Sequence, residues 1–511
     1  MTQIRKNLVT NVMCLITNVL VGLLYTPYLV RELGVATYGV LPIALVINQY
    51  IIILTDSLQS SVTRFYSVEY RQKNYRQASV YFTSAIAITI LLAIIVVPFI
   101  CCFLPQIETL LHIPDNLVRS VGQLIAYTVA SLFVAVCSNC INITIYSDNR
   151  LDLINYLKIL RNLTKLIFNI VLFSFLSTDV ANVGLSALLA ELLVLVVSII
   201  FYKTTKNREI KFGRRFVDFG AMKPIVKMLT WVSLISFSSV FIYKIDAILT
   251  NNYFGLYYTG VLGSISEFGS YCISITAVIG VLFRPLMLIA YSDKRHEELV
   301  QITVNGAYII GLVSGLLCGI VMGTSSSLLR VWLNDEISQY SSWMIIKLLI
   351  IPITSFGATI SVVNSLWNNV KSCAIWSLLI AVVYMSVVLV LLELGIDMTV
   401  FLIMGVIAAI LQGAILHISI YKKAYPESTK FVYIQLAKSC LYFMMVFGVS
   451  TVIDLLIRAD NLYMLFLEIC LSIVIGLVLS VPFYSKQNIN MLDNIFPIKS
   501  ILNKFHVKSV E

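Results

Sequence analysis

The chain has 511 residues, of which 59% are hydrophobic and only 12% are charged, and its formal net charge is +10. A soluble protein carries about 25% charged residues, so this composition excludes a set of soluble domains and requires lipid as the solvent. The positive charge fits contact with anionic lipid head groups, and we expect no nucleic-acid partner.

Long apolar stretches recur along the whole chain. A helix that spans a bilayer needs about 20 mainly apolar residues. The stretches of this kind are, in chain order, 8–30, 38–58, 79–104, 117–142, 163–178, 183–202, 225–250, 257–282, 300–322, 342–363, 374–392, 399–421, 431–456 and 462–484. The sequence therefore predicts an all-α polytopic membrane protein with about 14 transmembrane helices.

The basic residues are distributed asymmetrically between the gaps that separate these stretches. Of the 36 Lys and Arg residues, 30 lie in every second gap, starting with the amino-terminal one, or in the first eight residues of the stretch that follows such a gap. Cytoplasmic loops carry the excess of Lys and Arg in membrane proteins. This pattern predicts that both termini are cytoplasmic.

An eight-residue motif, G-x-x-x-x-G-V-L, occurs twice. It reads GVATYGVL at 34–41 and GLYYTGVL at 255–262, with an offset of 221 residues. Each copy occupies the turn between the first two spans of a group of six. An even number of spans between the copies predicts two halves of the same orientation, related by an axis along the membrane normal. The alternative is a coincidence of two glycine-rich turns.

The repeat predicts a domain organisation. We expect an amino-terminal six-helix bundle over 1–202, a basic cytoplasmic linker over 203–224 and a carboxy-terminal six-helix bundle over 225–421. Two appended helices over 422–484 and a basic cytoplasmic tail over 485–511 complete the chain. The linker either contacts lipid phosphates or only fixes the topology.

Ionisable residues within predicted spans are candidates for a transport path, because charge in hydrocarbon is unfavourable and rare. Glu191 and Glu267 lie near the middle of their spans. Lys244 and Asp246 are two residues apart, which on one helix places them on nearly opposite faces. Lys347 lies close to a span end. The alternatives are neutral, hydrogen-bonded packing residues for the acids and lysines that reach the membrane surface.

A second group of charges lies at the inner ends of two matching spans. Asp56 and Arg64 are eight residues apart and share one helix face, and Arg64 shifted by the repeat offset falls one residue from Arg284. Two arginines at matched positions would form a cationic vestibule suited to phosphate or pyrophosphate. The alternative is ordinary anchoring by basic residues at the cytoplasmic surface.

Sequence signatures of catalysis and metal binding are not found. The four histidines are scattered, and there is neither a P-loop nor an H-E-x-x-H pattern. We therefore expect no metal, no cofactor and no enzymatic activity. A membrane glycosyltransferase or polymerase would need a large soluble loop, and the longest outer gap, 323–341, is too short for one.

Five short motifs, in order, resemble the bacterial polysaccharide flippases of the multidrug/oligosaccharidyl-lipid/polysaccharide exporter superfamily, especially the O-antigen and capsule repeat-unit transporters. They are YLVRELG at 28–34 followed by Tyr38-Gly39, Asp56 with Arg64, DAIL at 246–249 leading into Gly255 and Gly260, FRPL at 283–286, and LRVWL at 329–333. One departure is SLQ at 57–59, where relatives usually have a glycine soon after the aspartate.

The resemblance implies a multi-pass protein of the bacterial inner membrane, in which undecaprenyl-pyrophosphate-linked oligosaccharide units move from the inner to the outer leaflet by alternating access. It also implies contacts with the polysaccharide polymerisation machinery. The positions that would supply a cationic cavity are Arg31, Arg64, Lys244, Arg284 and Lys347. The positions that would couple transport to H⁺ or Na⁺ are Asp56, Glu191, Asp246 and Glu267. The alternative function is a cation-coupled multidrug exporter of the same superfamily, in which acidic residues would dominate the cavity.

Overall fold

The computed structural model describes residues 3–46, 69–70, 72–103, 113–147, 150–204, 213–367 and 369–483, together with residues 49, 53, 62 and 66. Throughout these residues the regular secondary structure is helical, as the sequence predicts, and no β-strand occurs. The apolar stretches favour helices because only a helix satisfies its own backbone hydrogen bonds in lipid without closing into a barrel.

The helices of the first half are α1 (Gln3–Leu33), α2 (Val35–Tyr38), α3 (Tyr75–Phe103), α4 (Asp115–Ser147), α5 (Leu151–Phe175), α6 (Val180–Thr204), α7 (Phe219–Tyr243), α8 (Asp246–Phe254) and α9 (Leu256–Ser292). Those of the second half are α10 (His296–Gly323), α11 (Ser325–Trp332), α12 (Asp335–Ser338), α13 (Ser341–Leu348), α14 (Ile350–Ser355), α15 (Gly357–Leu366), α16 (Val370–Glu393), α17 (Met398–Ile410), α18 (His417–Ala424), α19 (Thr429–Ile457) and α20 (Leu462–Ser480). A π-helix (Leu411–Leu416) joins α17 to α18, and 3-10 turns occur at Arg214–Phe216 and Val481–Phe483.

The protein is a multi-pass membrane protein. Within the described residues, 10 helical segments are long and apolar enough to cross a bilayer, or 11 if the segment Ser341–Ser355 and Gly357–Leu366, bent by 43°, forms one span. The predicted total of fourteen spans and the cytoplasmic location of both termini stay predictions. The stretch 38–58 falls largely outside the described residues.

Helix α5 begins earlier than the sequence predicts. The apolar stretch 163–178 suggested a short span, whereas the structure has a continuous 25-residue helix from Leu151 to Phe175. Lysine and arginine are good helix formers, so basic residues ahead of an apolar stretch extend the helix rather than end it. The difference places Lys158, Arg161 and Lys165 on a helix, where the sequence analysis had counted them in a cytoplasmic gap.

The contacts of the chain group it into two compact units. The first contains residues 1–264 and 377–398, and the second contains residues 265–376 and 399–511. The predicted division into two six-helix bundles, a linker, two appended helices and a tail stays a prediction.

The two copies of the repeated motif begin with glycines in the same backbone conformation. Gly34 has φ +79° and Gly255 has φ +103°. Only glycine adopts such angles without strain, which explains why both copies start with this residue. Each glycine directly precedes a helix, α2 and α9 respectively.

Within the first compact unit the two motifs pack against each other reciprocally. A Cβ atom added to Gly39 would lie 2.3 Å from the carbonyl oxygen of Leu256, and one added to Gly260 would lie 2.1 Å from that of Val35. The pairs related by the 221-residue offset are Val35 with Leu256, Gly39 with Gly260 and Pro42 with Gly263. The contact of Gly39 with Leu256 and the contact of Gly260 with Val35 are therefore equivalent. Exchanging the two motifs converts one contact into the other, as a two-fold axis between the motifs requires.

The second compact unit is built around α10, which carries a glycine at every fourth position over its second half. A Cβ atom on Gly319 would lie 2.9 Å from Val446 of α19, and one on Gly323 would lie 2.4 Å from the Cβ of Ser450. Small residues spaced by four form one helix face and let two helices approach closely in a membrane. This face holds α19 against α10.

Candidate functional site

Helix α5 of the first unit is polar along one face. At about 100° per residue, six of its polar side chains fall within an arc of about 120°. They are Asn155, Lys158, Arg161, Asn162, Lys165 and Asn169, and we call them the polar arc. The exposed apolar residues Leu163, Ile167 and Ile170 lie on the opposite side of the helix. Helix α5 therefore presents one face suited to lipid and one suited to water or a polar ligand.

Amide side chains of the polar arc fix α5 against α1. The Nδ2 of Asn155 donates to Oγ1 of Thr10 at 3.2 Å, and the Nδ2 of Asn162 donates to Oδ1 of Asn18 at 3.2 Å. These bonds use the amides for packing. The basic residues of the arc occupy the other half of the polar face, within about 20–120° of the amides.

The charged part of the arc is centred on an ion pair with α6. Nε of Arg161 lies 2.5 Å from Oε1 of Glu191, which is 8% exposed and stands near the middle of α6. Lys165 also interacts electrostatically with Glu191, and its Nζ lies 5.3 Å from the ring centroid of Tyr25. Within the described part of the chain, Oε2 of Glu191 has no hydrogen-bond partner.

The net charge of this cluster is positive. Arg161 and Lys165 interact with one carboxylate, that of Glu191, and Lys158 adds a third positive charge, exposed on the face opposite the lipid-facing residues. An exposed lysine in that position indicates a water-accessible surface, since charge facing hydrocarbon is unfavourable. The arrangement can hold an anionic group, because the ammonium and guanidinium groups are charge-assisted donors to phosphate or carboxylate oxygens.

A buried amide lies at the far end of the arc. Asn169 is 0% exposed, and within the described part of the structure neither its Nδ2 nor its Oδ1 has a hydrogen-bond partner. A buried polar group without a partner lowers stability by about 1–3 kcal/mol. Such a residue is retained where a function requires its polarity.

The residues nominated from sequence are spread over both units. Arg31 is exposed in the last turn of α1, Arg284 is exposed in α9, and Glu267 in α9 and Lys347 in α13 are half-buried. Asp56 and Arg64 lie outside the described residues. Glu191 is paired with Arg161, so this candidate is in contact with the polar arc.

Lys244 and Asp246 do not lie on one continuous helix. Helix α7 ends at Tyr243 and α8 begins at Asp246, so a turn separates the two charges. The expectation that they occupy opposite faces of one helix is therefore wrong. Lys244 is exposed, whereas Asp246 is buried and its Oδ1 accepts a hydrogen bond from the Ala247 amide at 3.0 Å. A carboxylate at the start of a helix is stabilised by the unpaired amides there.

Sequence reasoning missed the three basic residues of the polar arc. They were assigned to a cytoplasmic gap because hydropathy averages over all faces of a helix. The available signal was their spacing: residues at i, i+3 and i+7 share one helix face, and the amides at 155, 162 and 169 extend that face.

Comparison with known proteins identifies the family. A model of the family described as "Polysaccharide biosynthesis protein" matches residues 4–287, more than half of the chain. A relative from Bacillus subtilis (strain 168), described as "Uncharacterized membrane protein EpsK", is 22% identical over 377 residues, which cover 74% of each chain.

Solved structures share the fold. A MATE family multidrug resistance transporter of the MOP superfamily, in an inward-facing conformation, has a TM-score of 0.63 at 13% identity, covering 82% of this chain and 99% of that one. A MOP superfamily transporter from Pyrococcus furiosus gives 0.64 at 13% identity, covering 84% and 96%. The lipid II flippase MurJ, in an inward closed conformation, gives 0.62 at 14% identity, covering 93% and 98%. The chain has the fold of these transporters and belongs to the polysaccharide biosynthesis protein family.

Proposed function

We propose that the protein is a flippase that moves undecaprenyl-pyrophosphate-linked oligosaccharide repeat units from the inner to the outer leaflet by alternating access. The single observation that carries the proposal is the positive polar arc of α5, in a chain whose family is that of polysaccharide biosynthesis. A flippase must hide a charged sugar-phosphate head from hydrocarbon while the lipid tail stays in the bilayer. A helix with one cationic face and one lipid-facing face can shield such a charged head group from the hydrocarbon.

The spacing of the cations suits a head group that travels across the membrane. Lys158 and Lys165 are seven residues apart, or about 10 Å along the helix axis, with Arg161 between them. A pyrophosphate could pass from one to the next without losing contact with positive charge. In this proposal Glu191 neutralises Arg161 when no substrate is bound, and the substrate's phosphates displace it.

Other residues nominated from sequence join the proposal as further cavity cations: Arg31, Arg64, Lys244, Arg284 and Lys347. Asp56, Glu191, Asp246 and Glu267 are proposed coupling residues for H⁺ or Na⁺. The two six-helix bundles are the proposed moving parts.

The alternative, a cation-coupled multidrug exporter, is supported by the buried carboxylate of Glu191. An organic cation would be repelled by Arg161 and Lys165, which interact with this single acid, and by Lys158 on the same helix face. The charge of the arc therefore favours an anionic substrate.

The proposal is tested by flipping of a labelled undecaprenyl-pyrophosphate oligosaccharide in proteoliposomes. Hydrogen bonds to charged groups contribute about 1.5–3 kcal/mol, so Arg161→Ala and Lys165→Ala should each lower the rate about 10- to 100-fold. Lys203→Ala, an exposed cation at the end of α6, is the matched control and should not change the rate.

Arg161→Ala alone leaves Glu191 buried without its partner and could unfold the protein. The double variant Arg161→Gln with Glu191→Gln removes both charges and retains the hydrogen-bonding capacity. If that double variant is folded and flips at the wild-type rate, the arc is not the substrate path. Transport of cationic dyes instead of the lipid would establish the exporter.

A further inference from the structure

The second unit contains a pair of buried acids that the proposed transport path does not use. Glu468 lies in α20 and is 0% exposed, and Asp454 lies in the last turn of α19 and is 9% exposed. Asp454 and the hydroxyl of Ser327 in α11 are polar neighbours of the Glu468 carboxyl group. Even so, neither oxygen of Glu468 has a hydrogen-bond partner among the residues that the structure describes.

The two acids differ in how they are held. Oδ1 of Asp454 accepts a hydrogen bond from the backbone N–H of Ser327 at 3.2 Å. The backbone N–H of Ala459 in turn donates to Oγ of Ser327 at 3.1 Å. Asp454 is therefore fixed as an acceptor by a backbone donor. The Ser327 hydroxyl and the Ala459 N–H lie near Glu468 without completing a hydrogen bond to it, and Asp454 places a second carboxyl group beside it.

One proton added to this pair resolves the arrangement. Two neighbouring carboxylates in one buried site repel each other, so the two groups do not both ionise. A protonated Glu468 donates its O–H to Asp454, and a single hydrogen bond then satisfies both groups. We propose that Asp454 and Glu468 form a proton-binding site, in which one shared proton joins the α19–α20 hairpin to α11.

The surrounding charges do not offer an alternative partner. Nε of Arg330, on α11, lies 3.1 Å from Asp335, and its Nη1 lies 3.0 Å from Asp460 in the α19–α20 turn. Arg458 in the same turn is exposed. Helix α10, which packs against α19 and α20, carries its charged residues only in its first turn, at the other end of the helix. The remaining titratable groups on α10, α19 and α20 are three thiols, four phenols and two lysines in the first half of α19: Cys318, Cys440, Cys470, Tyr308, Tyr433, Tyr442, Tyr463, Lys430 and Lys438.

The polar line continues along both helices of the hairpin. Ser450 lies one turn before Asp454 and is 0% exposed, and Ser472 lies one turn after Glu468 and is 1% exposed. Neither Oγ atom has a hydrogen-bond partner in the described part of the structure. Hydroxyl groups both donate and accept, so they can take up and pass on a proton that leaves the acid pair.

The consequence is a hairpin whose attachment depends on pH. At neutral pH the shared proton holds α20, α19 and α11 together. When the pH rises far enough to remove that proton, two unpaired carboxylates face each other and the attachment weakens. The site goes beyond the proposed transport path, since it contains none of the residues assigned to that path.

Infrared difference spectroscopy of the full-length protein in lipid nanodiscs, titrated from acidic to alkaline pH, tests the proposal. Wild-type protein should show the carbonyl band of a protonated carboxylic acid at neutral pH, and Glu468→Gln should lack it. Glu393→Gln is the control, since Glu393 is exposed and accepts a hydrogen bond from the Tyr253 hydroxyl. A band that survives in Glu468→Gln overturns the assignment.

Thermal unfolding of the same samples provides a second readout. Wild type should lose several degrees of Tm as the pH rises above neutral, because a stabilising proton is lost. Glu468→Gln should not show this loss, since the glutamine amide donates to Asp454 at every pH. Equal pH dependence in the two proteins contradicts the proposal. If Na⁺, compared with choline at equal ionic strength, removes the carboxylic-acid band, the site holds a metal cation and the proton assignment is wrong.

If Glu468→Gln does not fold, the pH titration of the carboxylic-acid band in Asp454→Asn tests the proposal. The asparagine amide can donate to an ionised Glu468, so the carboxylic-acid band should disappear at a lower pH than in wild type. An unchanged titration of that band would show that Asp454 does not share the proton.

Discussion

The reciprocal contact between the repeated motifs gives a sharp test of the two-fold relation. Gly39→Ala would place a Cβ atom 2.3 Å from the Leu256 carbonyl oxygen, and Gly260→Ala would place one 2.1 Å from that of Val35, whereas ordinary contacts are 3.4–4 Å. Both obstacles are backbone atoms, which cannot rotate away, so the two segments must separate by about 1 Å. Overpacking of this kind lowers stability by about 1–3 kcal/mol, and we expect values near the upper limit.

Unfolding in mixed micelles, followed by circular dichroism against denaturant concentration, measures this loss. Gly122→Ala is the control, because a Cβ atom there meets nothing within 4 Å and alanine favours a helix over glycine by about 1 kcal/mol. The double variant Gly39→Ala with Gly260→Ala should lose less than the sum of the single losses, since the first substitution already separates the segments. Wild-type stability in both single variants, or full additivity, would refute the reciprocal contact.

Three further predictions concern the polar arc and the second unit. Glu191→Gln should lower the KM for the lipid-linked substrate, because the carboxylate that competes for Arg161 is gone; a raised KM in the proteoliposome assay would contradict this. Asn169→Leu should raise the stability by about 1–3 kcal/mol and lower the flipping rate, and a variant that is more stable and fully active would show that the amide has no role in transport. Gly323→Ala should lower the stability by about 1–3 kcal/mol, since its Cβ would lie 2.4 Å from that of Ser450. Gly448→Ala is the control, because a Cβ atom there meets nothing within 4 Å and should not lower the stability. Equal denaturation midpoints of the two variants would count against close packing of α10 on α19.

Much of the fold can be predicted from the sequence because lipid imposes a simple rule. Long apolar stretches become helices, and the described helices follow those stretches closely. The glycine repeat could also be recognised in the sequence. Positive φ angles require glycine at 34 and 255, and close backbone contacts require it at 39 and 260. The number of spans and the orientation of the chain stay predictions.

The features that sequence reasoning missed depend on direction around a helix or on tertiary contact. Hydropathy is averaged around the helix, so the cations of α5 looked like part of a loop. The break between α7 and α8 falls at Lys244 and Asp246, two charges that sequence reasoning placed on one continuous helix because the apolar stretch runs on past them. The pair of Asp454 and Glu468 had a signal, namely acids within two predicted spans, but their proximity arises only when α19 and α20 pack together.

The polar arc also has a consequence for how the chain is made. A basic residue at the centre of a spanning helix opposes release from the translocon into lipid by about 2.5–3.5 kcal/mol, and α5, which contains most of the predicted span 163–178, carries three basic residues on one face. Only four residues separate α5 from α6, which supplies the neutralising Glu191. Helix α5 should therefore wait in the translocon until α6 has been synthesised, and the two should enter the bilayer together as a helical hairpin.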